Sequence, residues 1–120
     1  MADKTRVGII GCGNIFPQYY RGCSAFEILE VAACADIDPE RAQGRAAEYG
    51  IRALSVAELI HSPEIDIVVN LTIPAAHAEV SLRIIEAGKH VHEEKPFALT
   101  RDEGRALLET ARARGVRIGC

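Results

Sequence analysis

Short apolar runs, each about the length of one buried strand, alternate along this chain with amphipathic segments that open on helix caps and close on glycine. That alternation constrains the fold more than any other feature. Arg6–Ile10, the apolar run before Asp36, Ile65–Leu71, His90–Glu93 and Val116–Ile118 read as strands, with Arg52–Leu54 a further, shorter one. Ile65–Leu71 is apolar toward both faces, as a central strand of a parallel sheet must be. Between the strands, Asp38-Pro39 places a cap and a first-turn proline at the head of a helix that Gly50 ends. Ser55 with Glu58, and Thr100 with Glu103, have capping-box spacing. The helix after Thr100 carries Ala106, Leu107, Leu108 and Ala111 and stops at Gly115. Ala76–Ala87 is the remaining long helix, with Val80, Ile84 and Ala87 on one face and Gly88 as its stop. The order β-α-β-α-β-α-β-α-β-α-β, joined by right-handed crossovers, predicts an α/β protein: a doubly wound, mostly parallel Rossmann sheet with helices on both faces.

Composition narrows the class. With 120 residues, 48% hydrophobic and 26% charged, the chain reads as one soluble domain, residues 1–120. A net charge of -3, with basic residues scattered among acids, argues against nucleic acid as a partner. No apolar run is long enough to span a bilayer, and the N-terminus leads into a strand without signal-peptide features, so the expected location is cytoplasmic and no membrane partner is expected. Cys12, Cys23, Cys34 and Cys120 lack metal-site spacing and read as small buried hydrophobes in a reducing compartment. His90 and His92 alternate along a strand without a third ligand, so no metal is expected.

The first strand runs into Gly11-Cys12-Gly13-Asn14-Ile15. A glycine that turns sharply out of a strand, a second that admits a pyrophosphate to the backbone and a helix N-terminus behind them make a dinucleotide-binding turn. Asp36, closing the next strand, is placed to accept hydrogen bonds from the adenosine ribose. The third small residue of that fingerprint is replaced by Phe16, whose ring must point away from the sheet or hold the first helix off. In such a sheet ligands bind beyond the carboxyl ends of the strands. The remaining candidates are therefore Thr72 to His77, after the central strand, and Glu93 to Phe97, after the fifth.

Asn70 to Pro96, with the opening Val7-Gly8-Ile9-Ile10-Gly11-Cys12-Gly13, resembles the cofactor domain of the glucose-fructose oxidoreductase and inositol dehydrogenase family, Gfo/Idh/MocA. The carriers are Glu94-Lys95-Pro96 and the preceding Ala87-Gly88-Lys89-His90-Val91. The resemblance implies an NAD-dependent oxidoreductase, with NADP the less favoured cofactor, acting on a sugar, polyol or related small molecule. It implies that Lys95 is catalytic and contacts the reacting hydroxyl, and that the Lys95–Pro96 bond is cis. Gly11, Gly13, Asn14, Ile15, Asp36, Thr72, Pro74, Glu94 and Pro96 would lie along the cofactor. His77 is either a site residue or a helix-start histidine bonded to nearby backbone, and Glu94 either touches the nicotinamide ribose or is a plain exposed carboxylate. A second, sheet-rich α+β domain, expected after residue 120, would supply the general base, and a complete member is expected to form a dimer or tetramer. Two other classes fit the glycine turn: a dinucleotide-binding regulator without turnover, and a methyltransferase, which leaves Glu94-Lys95-Pro96 without a role.

Overall fold

A computed structural model describes residues 3–120. The elements run β1 (Thr5–Ile10), α1 (Phe16–Ser24), β2 (Leu29–Ala35), α2 (Pro39–Tyr49), β3 (Arg52–Ala53), α3 (Val56–His61), β4 (Ile67–Asn70), α4 (Pro74–Glu86), β5 (His90–Glu93), α5 (Arg101–Arg114) and β6 (Ile118–Gly119). All pairings are parallel, and the strand order is β3-β2-β1-β4-β5-β6. The chain builds outward from β1 to β3, then returns to the middle and builds the other way. The switch point therefore lies between β1 and β4, where the loops after both strands meet: Leu71 N–H donates to Ile10 O at 2.8 Å.

Two apolar clusters hold helices to the two faces. One joins β1 and β2 to α1 and α2 through Val7, Ile9, Phe16, Val31, Cys34, Ala42 and Ala46. The other joins the sheet to α3, α4 and α5 through Ile10, Leu59, Ile60, Val68, Ile84, Ile85, Val91 and Leu107. Helix and strand approach closely at Gly8, where a Cβ would sit 2.8 Å from Leu59 Cδ2. The capping predictions hold in detail: Asp38 accepts from Glu40 N–H, both capping boxes close, and Gly50 and Gly115 adopt left-handed backbone. Among the described residues no helix is long and apolar enough to cross a membrane.

Several expectations shift. The fourth helix begins at Pro74, not Ala76, because proline's fixed φ suits a first turn and its missing N–H would go unused there. Its inward face is His77, Ala78, Ser81, Ile84 and Ile85, while Val80 and Ala87 sit at the margin. Two polar residues lie inside, a choice no hydrophobic pattern reveals. Phe16 is fully buried, its ring in the seam between α1 and α2, with Tyr49 at 5.6 Å and Tyr20 at 6.3 Å between centroids. Cys12 and Cys34 are buried as expected, but Cys23 is half-buried and Cys120 exposed, since Cys23 lies near the end of α1 and Cys120 follows the edge strand. In α5 only Leu107 and Ala111 turn inward, and Leu108 faces solvent.

Candidate functional site

The glycine turn contains two glycines with different physical reasons. Gly11 has φ +107°, and a Cβ there would stand 2.7 Å from Leu71 O, so the protein itself excludes a side chain. Gly13 has no such constraint: a Cβ would meet nothing within 4 Å. Its bare backbone leaves clearance above the turn, the property a pyrophosphate needs. No side chain caps α1, and Asn14 and Ile15 just before it are exposed, so N–H groups of that turn remain for an outside acceptor.

The turn is held from behind. Cys12 N–H donates to Asp36 Oδ2 at 2.8 Å, and Asp38 N–H donates to Asp36 Oδ1 at 2.9 Å. Each Asp36 oxygen keeps a second lone pair, so the carboxylate can still accept two hydroxyls. Arg45, on α2, donates to Cys12 O at 3.3 Å and Gly13 O at 3.0 Å, and its guanidinium lies 5.6 Å from the Phe16 ring centroid. Sequence reasoning missed Arg45, because an arginine inside a helix carries no sign of which loop it will reach. A cleft of about 540 Å³ opens here, lined by Gly13, Asn14, Arg41 and Arg45.

The loop after β4 is organised by Asn70, also missed. Fully buried, it donates from Nδ2 to His77 O at 2.9 Å and Ser81 Oγ at 2.8 Å, and its Oδ1 accepts from Thr72 N–H at 3.1 Å and Thr72 Oγ1–H at 2.6 Å. Every hydrogen-bonding site of one amide is thus used to fix the loop. The only available signal was an asparagine closing an otherwise apolar strand. Thr72 is half-buried, Pro74 is exposed, and His77, the fourth residue of α4, is buried beneath the loop with Nδ1 3.2 Å from Thr72 O.

Beyond β5, Lys95 and Pro96 are exposed at the same carboxyl end of the sheet as Gly11 and Thr72, and the Lys95–Pro96 bond is cis. Glu94 is not a free carboxylate. Tyr19 O–H, from α1, donates to Glu94 Oε2, and Lys95 N–H donates to Oε1 at 3.2 Å. These two bonds hold the Glu94 carboxyl below its ordinary pKa, while burial and that same carboxylate push the Tyr19 phenol up to about 12. Tyr19→Phe should therefore let Glu94 titrate at higher pH, closer to an ordinary glutamate. A carboxyl-carbon NMR titration reads this directly, and an unmoved Glu94 would show that the Tyr19 contact has no electrostatic weight.

A glycine turn at the switch point of a 3-2-1-4-5-6 parallel sheet, with an acid and a lysine beyond the carboxyl ends of neighbouring strands, is the layout of a dinucleotide-binding domain. Comparison with known proteins makes this specific. The family described as oxidoreductase family, NAD-binding Rossmann fold (GFO_IDH_MocA), matches residues 5–120, and the chain belongs to it as an NAD(P)-binding domain. The chain is 36% identical over 116 residues to 1,5-anhydro-D-fructose reductase of Ensifer adhaerens, covering 95% of this chain and 35% of that protein. Over 115 residues it is 37% identical to inositol 2-dehydrogenase 3 of Saccharopolyspora erythraea, covering 94% and 34%. The crystal structure of KijD10, a 3-ketoreductase from Actinomadura kijaniata in complex with NADP and TDP-benzene, superposes with a TM-score of 0.89 at 31% identity, covering 95% and 36%. The chain thus spans about a third of the length of these relatives.

Proposed function

We propose that this domain holds NAD(H) for an oxidoreductase that moves hydride to or from a carbinol carbon of a sugar, polyol or derivative. One observation carries the reading: the open backbone at Gly13, the Asp36 carboxylate and Lys95 share one end of the sheet. Gly11, Gly13, Asn14 and Ile15 would hold the pyrophosphate, and Asp36 the adenosine ribose. Ile37 and Ile73, 91% and 67% exposed, offer apolar surface beside Asp36 and Thr72 for a flat base. Thr72 and Pro74 would run along the cofactor toward the nicotinamide end, where Glu94 and Pro96 border its ribose. The nicotinamide ring, when bound, supplies hydride exchange. Lys95 then supports the charge that develops on the substrate oxygen. Substrate class follows the relatives, whose names are those of an anhydrofructose reductase and an inositol dehydrogenase.

Cofactor choice follows from charge. Asp36 pairs with ribose hydroxyls and repels a 2′-phosphate. The cation nearest in sequence, Arg41, is exposed and lies 3.7 Å from the Asp38 carboxylate. Titrating the chain with NADH and NADPH side by side should give tighter binding of NADH, and equal or tighter NADPH binding would overturn this, pointing to Arg41. The same 120 residues should bind NADH yet reduce no NAD with polyols or sugars, because this reading draws the base that takes the hydroxyl proton from the rest of the enzyme. Robust turnover would place the base within the chain, with His77 the first candidate.

A further inference from the structure

Every nitrogen of the Arg45 guanidinium is engaged. Nε donates to Cys12 O at 3.3 Å, Nη2 to Gly13 O at 3.0 Å and Nη1 to Glu48 Oε1 at 3.0 Å, while the Phe16 ring lies beneath the group. Two of these bonds grip consecutive peptide units of the glycine turn. Both units are trans, and in a planar trans peptide the C=O and N–H point opposite ways. The carbonyls of Cys12 and Gly13 share their peptide planes with the N–H groups of Gly13 and Asn14. With the oxygens turned toward Arg45, those two N–H groups point away from it. Both residues are exposed, and neither N–H has an acceptor among the described residues. Gly13 does not fix this orientation by itself: without a Cβ, and with nothing within 4 Å of where one would sit, it lets the flanking peptides rotate. Phe16 N–H also donates to Gly13 O, at 3.2 Å, but among the described residues Arg45 alone donates to Cys12 O.

We propose that Arg45 is a positioning residue for dinucleotide binding: by holding the Cys12 and Gly13 carbonyls from α2 it aims the Gly13 and Asn14 N–H groups at the pyrophosphate. The proposal rests on the reading that this turn binds the pyrophosphate of NAD(H). A glycine open enough to admit a phosphate is also free to flip, and a flipped peptide would present a carbonyl oxygen to an anion. Arg45 removes that alternative before the cofactor arrives, so its ordering cost is met in folding and not in binding. The side-by-side Nε and Nη2 donors suit two neighbouring carbonyls, a grip that the point charge of a lysine does not reproduce. The third nitrogen has its own task. Glu48 lines the same cleft as Gly13 and Asn14, and the ion pair with Arg45 offsets a carboxylate that would otherwise repel a phosphate.

Backbone nitrogen relaxation of the ligand-free chain, with titrations of NADH, ADP and adenosine, tests this. In Arg45→Met the order parameters of Gly13 and Asn14 should fall from about 0.85 to below about 0.6. NADH and ADP should bind about tenfold more weakly, while adenosine, which has no phosphate, stays within about twofold. Arg45→Lys should regain less than about threefold of that loss. Full rescue by lysine would mean that charge alone acts, and full rescue by adding Glu48→Gln to Arg45→Met would mean that the freed carboxylate repels the phosphate; either overturns the proposal. So do unchanged order parameters, or an equal loss for adenosine, the mark of general damage to the site. If Arg45→Met does not fold, Arg45→Lys carries both readouts, and a turn as ordered and an ADP affinity as high as in the wild type overturn the proposal. Failure of the wild type to bind NADH counts against the cofactor reading, whereas the order parameters, taken without ligand, still decide whether Arg45 holds the turn.

Discussion

Gly11→Ala should cost the fold about 3 kcal/mol and lower the melting temperature by roughly 10 °C, whereas Gly13→Ala should leave melting within about 2 °C and still weaken NADH binding at least tenfold. The difference comes from what each missing side chain would meet. At Gly11 an alanine must adopt left-handed backbone and overlap Leu71 O, at the point where the loops after β1 and β4 touch. Neither can yield easily, because Gly11 N–H is bonded to Ala35 O and Leu71 N–H to Ile10 O, both at 2.8 Å. Against a total stability of about 5–15 kcal/mol such a loss is severe. At Gly13 the added methyl enters open space, so the protein does not register it and only a ligand lying against the turn would. Thermal denaturation and NADH titration of both variants check this. Wild-type affinity in Gly13→Ala would mean that the clearance above the turn is not where the pyrophosphate lies.

The same contrast shows why some of the site was legible in the sequence and some was not. Caps, glycine stops and apolar runs are local, so β5 was placed to the residue and both capping boxes were found, although the start of α4 was set two residues late. Gly11 and Asp36 were legible because a turn out of a strand and an acid at a strand end have few alternatives at that spacing. Arg45, Asn70 and Tyr19 were not, since each acts on a residue brought near only by the fold: Arg45 on Gly13, Asn70 on Ser81, Tyr19 on Glu94. Phe16 is the instructive case. Its ring was expected to point away from the sheet or to hold α1 off it. The ring fills the seam toward Tyr49 under Arg45, and a tight helix–strand contact occurs at Gly8 against α3, on the opposite face. A pattern fixed to consecutive positions could not foresee that exchange.

Lys95→Ala, placed in a whole enzyme that carries this domain, should lower kcat by about 10²-fold or more and leave NADH affinity nearly unchanged. The expectation is scaled from losing one preorganised donor to a developing oxyanion. Lys95 lies two residues past the end of β5, it is exposed, and its neighbour Glu94 is tied to Tyr19 on α1. Its backbone is thereby anchored: Lys95 N–H donates to Glu94 Oε1. The ammonium itself has no partner among the described residues in the hydrogen bonds and ion pairs that hold the fold, so removing it should not unfold the chain. An ammonium fixed beside the carbinol oxygen gains most when negative charge accumulates there, during hydride transfer, and little when cofactor alone is bound. Lys95→Arg keeps the charge but broadens and displaces it, and should recover only part of the rate. The decisive measurement is the pair of constants: a fall in kcat with an unchanged NADH dissociation constant assigns Lys95 to the reacting oxygen. A near-normal kcat, or a loss confined to NADH affinity, would return it to the surface as a solvated lysine.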